Sequence, residues 1–94
     1  MGPPNNPVRL VIQEVFDGRS GIASYRVIVY PRRPFMRDEP ATYSSRGKLM
    51  TRLQRALPNV DQRDLAPSEG TTQVLFAREL ELSDDQLKIL GLGR

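Results

Sequence analysis

"VRLVIQEVFDGRSGIASYRVIVY", residues 8–30, contains two runs of β-branched and other apolar residues on either side of the short connection DGRSG. The glycines of this connection can adopt positive φ, and two strand-like runs around such a loop predict a β-hairpin. If Phe16 pairs with Ile22, Leu10 lies opposite Ile28 and Val11 lies opposite Val27.

In this register neither face of the hairpin is predominantly polar. One face carries Val8, Leu10, Ile12, Phe16, Ile22, Ile28 and Tyr30, and the other carries Val11, Val15, Ala23, Tyr25, Val27 and Val29 with Arg9 and Gln13. Such a hairpin either covers a core with one face and contacts a partner with the other, or it pairs in a register shifted by one residue. Both alternatives remain open at this point.

Prolines interrupt the chain after the hairpin and predict a loop over residues 31–43, which is long enough to suggest a function. A helix is predicted over residues 45–57, with Ser44 or Ser45 as its N-cap and Pro58 beyond its end. The apolar side chains of this helix fall on one side: Leu49, Met50, Leu53, Ala56 and Leu57. Lys48, Arg52 and Arg55 fall on the opposite side, so the helix is amphipathic.

The remaining sequence predicts one more strand and one more helix. Residues 73–82 alternate as a strand, and residues 83–90 form a helix that begins with a Ser83–Gln86 capping box and stops at Gly91. We therefore predict a small α+β domain over residues 8–94, preceded by a disordered lead over residues 1–7. Its elements follow the order β-β-α-β-α, as a three-stranded antiparallel sheet with two helices on one face.

The composition argues against catalysis. The chain contains no histidine and no cysteine, which excludes Ser-His and Cys-His chemistry and the usual zinc sites. Ser45 and Lys48 have the spacing of a serine–lysine pair, but a capping serine beside a surface lysine is the simpler interpretation. The adjacent carboxylates Asp84 and Asp85 suit a helix N-terminus rather than a metal site. We expect no enzyme activity, no metal, no cofactor and no small-molecule substrate.

The sequence contains no run of about 18 apolar residues, so no membrane-spanning helix is expected. The first residues, MGPPNNP, lack the charged and apolar regions of a secretory signal. We therefore predict a cytoplasmic protein.

Positive charge is concentrated in residues 30–55, which carry seven basic and two acidic side chains. The basic residues are Arg32, Arg33, Arg37, Arg46, Lys48, Arg52 and Arg55, and the aromatic residues among them are Tyr30, Phe35 and Tyr43. Guanidinium groups bind phosphates, and aromatic rings stack on unpaired bases. This segment predicts binding of an anionic partner, with nucleic acid as the best candidate.

Two other interpretations of the same chain remain. The arginines can form a solvated surface or pair within the domain, where Glu79, Glu81, Asp84 and Asp85 are available. Alternatively, the protein is a protein–protein interaction module, either a homodimer or an accessory subunit, that pairs through the strand edges of the hairpin.

Overall fold

The computed structural model describes residues 6–66 and 73–93. It confirms the α+β class and the two helices. The elements are β1 (Asn6–Phe16), β2 (Ala23–Tyr30), β3 (Ala41–Tyr43), α1 (Arg46–Ala56), a 3₁₀ turn (Gln62–Asp64), β4 (Val74–Leu82) and α2 (Asp84–Ile89). Of the predicted disordered lead over residues 1–7, residues 1–5 lie outside the described residues, whereas Asn6 and Pro7 belong to β1 and pair with β4.

The sheet has four antiparallel strands in the order β3-β2-β1-β4, so the prediction of three strands is wrong. The additional strand, β3, lies at the end of the segment predicted to be a loop over residues 31–43. It pairs Tyr43 with Tyr25 and Ala41 with Val27. Three residues are too few for a period of two to be visible in the sequence, although all three follow the last proline of the loop.

The hairpin register is shifted by one residue from the predicted one. Phe16 pairs with Ala23, and Leu10 pairs with Val29. The shift arises in the turn, where the Asp17 carboxylate accepts hydrogen bonds from the Arg19 N–H at 2.9 Å and from the Ser20 hydroxyl at 3.0 Å. Asp and Ser side chains stabilise turns in this way, and Ile22 lies opposite Asp17 instead of Phe16, with the Asp17 N–H donating to the Ile22 carbonyl at 3.0 Å. The Ile22 side chain is 64% exposed.

Both helices pack on one face of the sheet, as predicted. Side chains from this face and from the helices form a single core, whose largest fully buried members are Leu10, Ile12, Val27, Val29, Leu49, Leu53, Leu82, Leu87 and Leu90. The predicted caps are confirmed: the Ser45 side chain accepts from the Lys48 N–H, and Ser83 and Gln86 form a capping box. We call the opposite surface of the sheet the outer face.

A bulge alters the alternation predicted for β4. Ile12 pairs with Phe76, whereas Gln13 pairs with Val74, so Leu75 is an extra residue on β4. Leu75 and Phe76 are consequently both buried, as a bulge permits. Further along the strand Arg78 lies over the Phe76 ring at 4.8 Å from its centroid and binds Asp64 at 2.9 Å.

Candidate functional site

Three of the six arginines among the predicted binding residues are held by acceptors within the protein. Arg32 binds the Asp38 carboxylate at 3.0 Å, and Arg33 binds the Asp84 carboxylate at 2.7 Å with its side chain only 13% exposed. The Arg46 guanidinium donates to the carbonyl oxygen of Leu65. Internal pairing, one of the alternatives drawn from the sequence, therefore describes these three groups.

Three other cations converge on one surface depression, which we call the cationic groove. Arg37 comes from the loop after β2, Arg52 from α1 and Lys88 from α2. The depression has a volume of about 360 Å³. Among residues 6–66 and 73–93 its lining is Arg37, Ala41, Thr42, Tyr43, Arg52, Lys88, Gly91 and Gly93. None of these described lining residues carries a carboxylate side chain.

Each cation of the groove is positioned by a buried neighbour in the sequence. Met36 precedes Arg37, Leu53 follows Arg52 and Leu87 precedes Lys88. All three of these apolar residues are at most 2% exposed. The loop is fixed further by a hydrogen bond from the Arg37 N–H to the Leu92 carbonyl at 3.0 Å. The groove is therefore built on backbone that the core holds in place.

Tyr43 forms part of the groove wall through a ring that is anchored at its hydroxyl. The hydroxyl donates to the Leu90 carbonyl oxygen at 2.5 Å. Burial raises the pKa of Tyr43, and the positive charges of Arg52 and Arg37 act in the opposite direction.

A smaller depression of about 290 Å³ adjoins the groove along α1. It is lined by Tyr43, Lys48, Thr51 and Arg52, so Tyr43 and Arg52 line both depressions. The Lys48 ammonium donates to the Ser44 hydroxyl at 3.1 Å. Lys48 thus extends the positive surface by one helical turn.

The predicted site is brought together only in part. Arg37, Lys48, Arg52 and Tyr43 meet around the two depressions, and Arg55 lies exposed in the last turn of α1. Phe35 is half-buried against the core, with the Lys88 ammonium 5.7 Å from its ring centroid. The remaining aromatic residue, Tyr30, is 54% exposed on β2.

Lys88 was not predicted as a site residue. It lies at an exposed position of the second predicted helix, beside the apolar Leu87, and such a position gives no sign of function by itself. Its place in the groove depends on the packing of α2 beside α1, which no pattern in the sequence specifies.

Within residues 6–66 and 73–93 no group of three or more acidic, histidine or cysteine side chains is placed to hold a metal ion. Over the same residues no helix has the length and apolar character needed to cross a membrane. The chain matches no protein-family model, no curated protein and no solved structure.

Proposed function

We propose that the protein is a non-catalytic binding module that holds an anionic partner, nucleic acid, in the cationic groove. The observation that supports this best is the convergence of Arg37, Arg52 and Lys88 on one depression, whose described lining residues include no aspartate or glutamate. Arginine offers a planar set of donors that matches two phosphate oxygens, and lysine adds a compact positive charge. A phosphate backbone supplies anions at regular spacing along its length.

The pattern of ion pairs supports the same proposal. In the described part of the chain Arg32, Arg33, Arg63 and Arg78 each bind a carboxylate within 3.3 Å. Among the described residues, no ion pair includes Arg37, Arg52 or Lys88. Like charges that share a depression repel one another, and a bound anion relieves that repulsion.

Replacing Arg52 and Arg55 together by glutamine should weaken nucleic-acid binding. Arg52 lines both depressions and Arg55 lies one turn further along α1. Each lost phosphate contact should reduce the slope of log K against log salt by about 1, and the affinity at about 50 mM salt should fall roughly tenfold. Fluorescence anisotropy of a labelled oligonucleotide measures both quantities. The melting temperature should change little because both side chains are exposed.

A matched control removes the same charge elsewhere. Arg19 lies in the hairpin turn and Arg63 in the 3₁₀ turn, and neither lines the groove. Replacing both by glutamine should leave the affinity within about twofold of the wild-type value, since only long-range attraction is reduced. Equal losses in the two double variants would show that binding follows net charge and not the groove.

Self-association is the second candidate function, and the outer face of the sheet, on which neither described helix packs, favours it. Val11, Ile28 and Ala77 are cross-strand neighbours on that face, and the described helices pack on the other side of the sheet. Of the two hairpin edges named from the sequence, the edge of β1 is paired with β4, and residues 25–27 of β2 are paired with β3. The outer face is thus the better surface for a second copy.

Analytical ultracentrifugation tests this second candidate. Pairing through the outer face predicts a mass that rises with concentration from 10.6 kDa towards twice that value. Ile28→Lys should abolish the rise, because it places a charge in the apolar row without opening the core. A constant monomer mass up to millimolar protein would exclude self-association.

A further inference from the structure

A third depression adjoins the cationic groove and differs from it in chemistry. It has a volume of about 250 Å³, and Arg37 lines both this depression and the groove. Its apolar walls come from Ile28, Val29, Tyr30, Pro40 and Leu92. We call it the apolar pocket.

The polar groups of the apolar pocket disfavour a phosphate. Asp38 and Glu39 both line it, and the guanidinium of Arg32 is already bound to Asp38 at 3.0 Å. The guanidinium groups of Arg32 and Arg37 line the same pocket, so its formal charges balance and it offers a phosphate no net attraction. A flat, uncharged group with an N–H donor at its edge fits better, because its faces contact apolar side chains and its donor meets a carboxylate oxygen.

A nucleobase has these properties, and the apolar pocket lies directly beside the groove proposed for phosphates. Tyr30 adds a ring that is 54% exposed and therefore available for stacking. We propose that the apolar pocket receives an unpaired base while Arg37 and the cationic groove hold the adjacent phosphates. This inference rests on the proposed function and narrows it: the ligand is single-stranded nucleic acid.

A base can enter the apolar pocket only if the nucleic acid is single-stranded at that position. In a duplex each base is stacked between its neighbours and its Watson–Crick edge is occupied, so neither its face nor that edge can reach Tyr30 or Glu39. Single strands can turn individual bases outward onto aromatic side chains. The pocket should therefore contribute affinity for single strands and none for duplexes.

The test compares three labelled ligands of about twelve nucleotides, within the range of single-strand site sizes. They are oligothymidine, the duplex of the same length, and an abasic strand with the same phosphates. Oligothymidine should bind about fivefold or more tightly than the abasic strand, because base–aromatic stacking is lost in the latter. The two single strands should show the same salt slope, since their charges are equal. The duplex should bind more weakly than oligothymidine at about 50 mM salt.

Variants of Tyr30 test the same inference by changing the protein instead of the ligand. Tyr30→Ala should weaken oligothymidine binding about fivefold or more at an unchanged salt slope, whereas Tyr30→Phe should stay within about twofold of wild type. Binding of the abasic strand should be the same in all three proteins. Far-ultraviolet circular dichroism checks that each variant is folded.

The outcomes separate this inference from the proposed function. Equal affinity for oligothymidine and the abasic strand, with no effect of Tyr30→Ala, would overturn base docking and leave the cationic groove as the phosphate site. Binding of the duplex with equal or higher affinity would also overturn it. If no ligand binds, the proposed function fails and the inference fails with it.

Discussion

Replacing Leu53 by alanine should lower the free energy of unfolding by about 3 kcal/mol, since removing a fully buried leucine side chain leaves a cavity. Leu53 is 0% exposed and lies on the buried side of α1. A domain of this size has a total stability of roughly 5–14 kcal/mol. The melting temperature should therefore fall by about 12 °C or more. Urea denaturation with an unchanged m-value would show that the loss reflects stability alone.

Gln54→Ala is the control for this substitution. Gln54 is the next residue of α1 and its side chain is exposed, so the change should stay within about 0.5 kcal/mol. A loss below about 1 kcal/mol for Leu53→Ala would contradict the assignment of the buried side of α1. The assignment of Arg52 to the exposed side of α1 would then be wrong as well.

Replacing Gly91 by alanine should lower the free energy of unfolding by about 2–3 kcal/mol. Gly91 ends α2 at φ +88°, and an added Cβ would lie 2.9 Å from the Tyr43 hydroxyl oxygen. The substitution therefore combines the unfavourable left-handed conformation with displacement of a hydroxyl that donates to Leu90. Because Gly91 and Tyr43 both line the cationic groove, binding should weaken in the same variant.

Gly47→Ala is the matched control, because Gly47 lies in the first turn of α1 and an added Cβ meets no atom within 4 Å. Alanine is the better helix former, so this substitution should be neutral or stabilise the fold by up to about 0.5 kcal/mol. Thermal unfolding of the two variants compares them directly. Equal effects of the two substitutions would contradict the geometry at the end of α2.

The elements that the sequence predicts well are those with strong local signals. The amphipathic pattern around Leu49 and Leu53, the capping residue Ser45 and the Ser83–Gln86 box each specify a helix with information from a few neighbouring residues. The helix bounds agree with the prediction to within one residue at each end.

The features that the sequence predicts poorly depend on choices between nearly equivalent patterns. Both faces of the hairpin are apolar, so burial does not distinguish one register from the next. The Asp17 carboxylate decides the register through its hydrogen bonds to Arg19 and Ser20. The strand Ala41–Tyr43 is too short to show a period, and the bulge at Leu75 breaks the alternation of β4.

The candidate site was predictable as a basic segment but not as an arrangement. Nothing in the sequence distinguishes the seven cations of residues 30–55 from one another. In the fold, Arg32 and Arg33 bind carboxylates, whereas Arg37 and Arg52 line a common groove. Lys88 joins that groove from a helix more than thirty residues further along the chain. Such long-range proximity follows from tertiary packing, for which a single sequence provides no local signal.

The most direct test of the proposed function is the salt dependence of nucleic-acid binding by the unmodified protein. Anisotropy of a labelled single-stranded oligonucleotide should give a micromolar dissociation constant at about 50 mM salt. Log K should fall linearly with log salt, with a slope of about −2 to −3 for three or four phosphate contacts on a single strand. Absence of binding to any labelled single- or double-stranded RNA or DNA at about 50 mM salt, or an affinity that does not change with salt, would contradict the proposal.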